Sequence, residues 1–181
     1  MLLFTLIPYF RNIWAGRTAG MKGGQNQLKF PFEHRVRIPG NLRLFRVFSA
    51  LAYLMVPVIF LFSLQPQDTS AGQSGWLREL LSRMTGMEWD ELLIRKLAHF
   101  TEYALLGSFA GAALAQTSWQ WKSALEVWLL GFGIAFLDET LQLLSGRGPA
   151  ILDVWIDAAG ALAGLAFSLL VFHLISRHRT K

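Results

Sequence analysis

The chain has 181 residues, 53 % of them hydrophobic and only 16 % charged, with a mean hydropathy of +0.37; a soluble domain draws about a quarter of its residues from the charged types, so an ordinary soluble domain is excluded. It contains no cysteine, which rules out a disulfide framework, a thiolate metal site and a cysteine nucleophile. Its net charge of +5 comes from Lys and Arg grouped at the two chain ends beside apolar segments, a pattern of membrane orientation rather than of a nucleic-acid-binding face.

Residues 1–46 hold eight basic residues against one acid, Glu33, with scattered Gly and Pro. This predicts a largely irregular cytoplasmic arm over 1–43, ahead of a membrane domain over 44–176 and a basic cytoplasmic tail over 177–181. The first ten residues are apolar, but they lack the basic n-region and small-residue cleavage site of a signal peptide and are too short to span.

Four segments then approach the roughly 20 apolar residues that a hydrocarbon core requires: 44–64, with Pro57 as an expected kink, 97–116, 124–144 and 154–176. Between the first two, residues 65–75 are rich in Pro, Gly, Ser and Gln and read as a loop. Trp76, Leu77, Leu80, Leu81 and Met84 then recur at helical spacing, with Arg78, Glu79 and Arg83 on other faces. That spacing predicts a short amphipathic helix on the membrane surface. The expected fold is all-α: an integral membrane bundle of four transmembrane helices with this interfacial helix between the first and second.

Orientation follows from the Lys and Arg distribution. With the N-terminus cytoplasmic, twelve basic residues lie inside and five, Arg78, Arg83, Arg95, Lys96 and Arg147, lie outside. Both termini are therefore expected in the cytoplasm, in a bacterial cytoplasmic (inner) membrane. The unusual polar groups then share the outer depth: Lys96, His99 and Glu102 on the second span, Asp138, Glu139 and Gln142 on the third, Arg147 in the connection, and Asp153 and Asp157 on the fourth.

An ionised carboxylate costs about 2.5–3.5 kcal/mol at the centre of a membrane helix, so such residues face inward, pair or are neutralised. Positions three and four apart share a helix face. Lys96, His99, Glu102 and Tyr103 form one stripe, Asp138 or Glu139 with Gln142 a second, and Asp153 with Asp157 a third. Gly107 with Gly111, and Gly160 with Gly164, continue two of these stripes at the spacing of tight transmembrane packing. The plainer reading of Arg95, Lys96 and Asp153 is that they snorkel to the interface, and that of His99 is a hydrogen-bonded packing residue. Glu102, Asp138 and Glu139 are harder to place outside a paired, buried network.

These residues carry a resemblance. The run Arg95-Lys96-Leu97-Ala98-His99-Phe100-Thr101-Glu102-Tyr103 through Gly107, then Asp138-Glu139-Thr140-Leu141-Gln142 with Gly146-Arg147, then Asp153-Val154-Trp155-Ile156-Asp157 with Gly160 and Gly164 resemble the successive motifs of the VanZ-like bacterial membrane proteins. Ser63 to Pro66 is similar to a Ser-Gln-Pro element at the end of that family's first span. The resemblance covers about residues 45–175 and leaves out the basic arm; at Asp157 the family commonly has Asn. It implies a small polytopic envelope protein, of a family named for a member associated with low-level resistance to teicoplanin and with relatives that accompany envelope polysaccharide systems. It carries over no reaction.

Function must then come from the residues. His99, Glu102, Asp138 and Glu139 are candidate acid–base groups, and Lys96, Gln142, Arg147, Asp153 and Asp157 candidate substrate contacts, for an amphiphilic envelope molecule such as a lipid-linked glycan or a glycopeptide. Alternatives are a proton- or ion-coupled transporter and a non-catalytic assembly partner whose charges fix helix register. One His among several carboxylates could hold a divalent ion, but no His-Glu-x-x-His motif is present, and neither a metal nor a cofactor is assigned. Expected partners are membrane lipids and the amphiphile, not nucleic acid.

Overall fold

The computed structural model describes residues 27–29, 35–37, 41–65, 67–117, 121–142 and 150–179. Asn41 starts the first helix, α1 (Leu42–Ser63), its side-chain oxygen accepting from the backbone N–H groups of Arg43 at 2.9 Å and Leu44 at 3.4 Å, which satisfies donors that have no partner within the helix. The helix is assigned without interruption through Pro57. Four more helices follow: α2 (Gln67–Thr85), α3 (Glu91–Leu114), α4 (Trp121–Gln142) and α5 (Ile151–Arg179).

Within the basic arm, Gln27–Lys29 (β1) pairs antiparallel with Arg35–Arg37 (β2), Leu28 opposite Val36. One reading is corrected: the loop expected over 65–75 is helical from Gln67. Gly72 and Gly75, which weaken a helix by about 1 kcal/mol each relative to Ala, are tolerated in α2, and Ser74 ties it to the start of α3 by donating to Glu91 Oε1 at 3.2 Å. Gly86 then turns the chain with φ +69°, a left-handed conformation that suits glycine, and Asp90 caps α3 by accepting from the N–H of Leu92.

The contacts fix the directions of the helices. Lys96 and His99, early in α3, face Asp153 and Asp157, early in α5, while Gly111 and Leu165 meet further along both; α3 and α5 run parallel. Phe48 near the start of α1 packs edge-on against Phe172 near the end of α5 at 6.0 Å, and Glu139 near the end of α4 accepts from the Ala150 N–H at the start of α5. Thus α1 and α4 run opposite to α5. The C-terminal ends of α1 and α4 and the N-terminal ends of α3 and α5 meet at one end of the bundle.

The α3–α5 contact is the most extensive in the fold, and glycine makes it possible. A Cβ at Gly107 would strike the carbonyl of Ala161, one at Gly160 that of Phe100, and one at Gly164 that of Ala104; at Gly111 it would come within 2.9 Å of the Leu165 carbonyl oxygen. The two backbones touch, as the four-residue glycine spacing predicts. Ile59, Tyr103, Leu106, Ala135, Val154 and Ala161 fill the centre, and Trp128 donates from Nε1 to the carbonyl of Ala158 at 3.0 Å, fastening α4 to α5.

Outward, the helices present Leu54 and Leu61 (α1), Leu97 and Leu105 (α3), Leu129 and Phe136 (α4), and Leu162 and Phe167 (α5), all exposed. Large apolar residues therefore cover the outside of the bundle as well as filling part of its centre, whereas a soluble bundle keeps its outer face polar. Among the described residues, α1 and α5 are both long and apolar enough to cross a membrane. The helices α3 and α4, of 24 and 22 residues, are not both long and apolar enough by the same measure.

Candidate functional site

At the end where the four long helices converge, polar side chains are enclosed. Asp138 from α4 and Asp157 from α5 have no exposed surface, and Tyr103 from α3 and Ser63, the last residue of α1, are equally hidden; Glu139 and Gln142 are buried beside them. Each comes from an apolar helix that turns this face inward because the opposite face is made of Leu, Phe and Trp. The glycine seam holds α3 and α5 close enough for their polar stripes to face one another. Nδ1 of His99 lies 4.0 Å from Oδ1 of Asp157, and one step toward the bundle end Lys96 Nζ lies 3.2 Å from Asp153 Oδ1.

Asp138 completes the group from α4. A ring nitrogen of His99 and carboxylate oxygens of Asp138 and Asp157 all lie within 4.8 Å of one another. Ser63, Gln142 and Tyr103 are the polar neighbours of Asp138, and Glu102, half-buried on α3, is within electrostatic range of both aspartates. Ser63, Gln142 and Tyr103 are turned toward Asp138 as hydrogen-bond partners, whereas neither oxygen of Asp157 has one. A buried acceptor or donor in that condition costs about 1–3 kcal/mol, more when charged, so the enclosure holds polar capacity that its own residues do not consume.

The two adjacent acids of α4 do different things. Successive residues of a helix point about 100° apart; Asp138 enters the cluster with His99 and Asp157, while Glu139 turns toward the α4–α5 connection and accepts from the N–H of Ala150. An acid at that place also complements the positive end of the α5 dipole. Lys96 and Asp153, for which the sequence left both a ligand contact and interfacial snorkelling open, are paired with one another. Arg147 lies outside the described residues.

A family model described as VanZ/LLP1 matches residues 2–173. The chain belongs to the VanZ/LLP1 family. Neither a curated protein nor a solved structure matches it significantly. The match takes in the basic arm, which the motifs alone had left outside the VanZ-like region. Together with the two apolar helices, VanZ/LLP1 membership points to a membrane protein.

Two members of the enclosure were not singled out as site residues from the sequence. Tyr103 was placed on the His99 stripe but given no role, and Ser63 appeared only as part of a terminal element. An unaccompanied hydroxyl in an apolar span gives little signal, because it can hydrogen-bond to its own helix, as Thr101 does to the carbonyl of Leu97 at 2.7 Å. The available signal for Ser63 was its place at the end of the first span, level with Asp138.

Proposed function

We propose that this VanZ/LLP1 protein crosses the bacterial cytoplasmic membrane four times with both termini inside, and that its polar end faces outward to bind or modify an amphiphilic envelope molecule, a lipid-linked glycan or a glycopeptide such as teicoplanin. The observation that carries this reading is the convergence of His99, Asp138 and Asp157 from three helices into one buried group at a single end of an otherwise apolar bundle. Intramembrane ionisable residues that face a bundle interior mark substrate or ion sites. At such a depth an amphiphile can keep its chains in lipid while its polar head reaches the cluster.

In this reading, His99, Glu102, Asp138 and Glu139 supply proton-transfer or binding groups, and Lys96 with Arg147 attracts an anionic head. The α2 helix lies in the outer interface, with Trp76 and Met84, exposed by 66 % and 75 %, entering the lipid. A resistance or polysaccharide-associated role follows from the nature of the ligand. The transporter alternative has less support: toward the opposite end, among the described residues, the buried polar groups are Ser49, Gln116, Thr117 and Ser168, which do not titrate.

The test is lipid analysis of protein purified in mild detergent, paired with teicoplanin susceptibility of the expressing strain. Wild type should retain a lipid-linked glycan or shift susceptibility; a Glu102→Gln, Asp138→Asn, Glu139→Gln variant that inserts and folds should do neither. Full retention by that variant overturns the reading. Proton-driven flux in proteoliposomes would favour transport, and parallel loss of folded yield and phenotype would favour an assembly partner.

A further inference from the structure

We propose that His99, Asp138 and Asp157 form a divalent-metal site, with a first-row ion such as Mn²⁺ or Zn²⁺ held between α3, α4 and α5. The inference does not depend on which amphiphile the protein binds.

Geometry is the first support. Three potential ligand atoms from three helices lie within 4.8 Å of one another. Metal–ligand distances of about 2.0–2.2 Å require each atom to move inward by roughly half an ångström, within reach of side-chain rotation. The α3–α5 seam fixes two of the three ligands on backbones that are already in contact, so the site is largely assembled by the fold.

The second support is the state of the aspartates. Both are fully enclosed, and neither carboxylate oxygen of Asp157 has a hydrogen-bond partner; the partners of Asp138 are the neutral groups Ser63, Gln142 and Tyr103. Buried carboxylates are found paired, protonated or on a metal. Among the described residues no Lys or Arg pairs with either aspartate; Lys96 is engaged with Asp153. Glu102, Glu139 and Asp153 add further negative charge around Asp157. A divalent cation at the centre supplies the missing charge and occupies the unused lone pairs together.

The donor set narrows the ion. One imidazole with two carboxylates is harder than the thiolate-rich sites of structural zinc and softer than the all-oxygen shells of Ca²⁺ and Mg²⁺, which suits Mn²⁺ or Zn²⁺. Three protein ligands leave coordination positions open, the pattern of metal sites that take water or a substrate oxygen. The hydroxyls of Tyr103 and Ser63, buried close by, face the Asp138 carboxylate and would hold that ligand in place.

The experiment uses the full chain in nanodiscs, stripped with chelator and titrated separately with Mn²⁺ and Zn²⁺. Bound ion is read by elemental analysis, and Mn²⁺ also by its spin-resonance spectrum. Wild type should bind about one ion per chain and unfold at higher temperature when loaded. Asp138→Asn, Asp157→Asn and His99→Ala should each weaken binding about tenfold or more, while Glu126→Gln, distant in α4, should not. Folded wild type that binds neither ion, or equal binding by wild type and an Asp138→Asn, Asp157→Asn double variant, overturns the proposal. Because the isosteric Asn variants preserve shape, their folding is checked independently by the unfolding transition without metal.

Discussion

The imidazole of His99 stands 4.0 Å from the carboxylate of Asp157 across the seam where α3 and α5 touch backbone to backbone. That relationship joins the packing of the protein to its polar site: the glycines that let the helices approach also set the distance between the two side chains.

Enlarging a seam glycine should therefore damage the fold and the site together. Gly164→Val would drive a branched side chain into the Ala104 carbonyl, and overpacking of this kind costs about 1–3 kcal/mol or more. A lowered unfolding temperature in nanodiscs checks it. Gly75→Ala in α2, where an added Cβ meets nothing within 4 Å, should instead be neutral or stabilise by up to about 1 kcal/mol.

Glu139 should carry a structural role beside the one proposed for it at the site. Glu139→Ala removes the acceptor of the Ala150 N–H and should destabilise by about 1–3 kcal/mol, whereas Glu139→Gln, which keeps an acceptor oxygen, should lose less. Thermal unfolding of the two variants separates these outcomes; equal stability of Glu139→Ala and wild type would contradict the assignment.

The Lys96–Asp153 pair should contribute little to stability on its own. Its side chains are 37 % and 19 % exposed, and partly exposed ion pairs give couplings of about 0.2–1 kcal/mol. A double-mutant cycle with Lys96→Met and Asp153→Asn, read by thermal unfolding at low and high salt, should return a coupling in that range that shrinks with salt.

Topology can be read directly because the natural chain contains no cysteine. Single cysteines at Arg147 and Thr85 should react with an impermeant maleimide from outside intact spheroplasts, and one at Arg177 only after permeabilisation. Labelling of Arg147→Cys solely from the cytosolic side would invert the proposed orientation.

The long helices and their polar faces were legible in the sequence because both signals are periodic. The glycine pairs at 107 and 111 and at 160 and 164 lie beneath the polar stripes at the same four-residue spacing, and a spacing is all that a close helix crossing requires. The separation of Asp138 from Glu139 was not legible: neighbours on a helix diverge by about 100°, and which of them enters a cluster depends on how the helix is rotated by its partners. The first turns of α2 were misread because Gln, Thr, Ser and Gly favour loops in isolation, whereas the contact of Ser74 with Glu91 belongs to tertiary structure.

Along the shared spine of α3 and α5 backbone meets backbone at four glycines and Ser168 donates across it to the Ser108 carbonyl, so these two helices can be expected to move as one body. Any widening of the enclosure then falls to α1 and α4, which bring Ser63 and Asp138 to it from the other side. A visitor from the lipid would enter by parting those two from the pair, and a covalent tie between α1 and α4 should shut the entrance, while one added along the spine should leave it free.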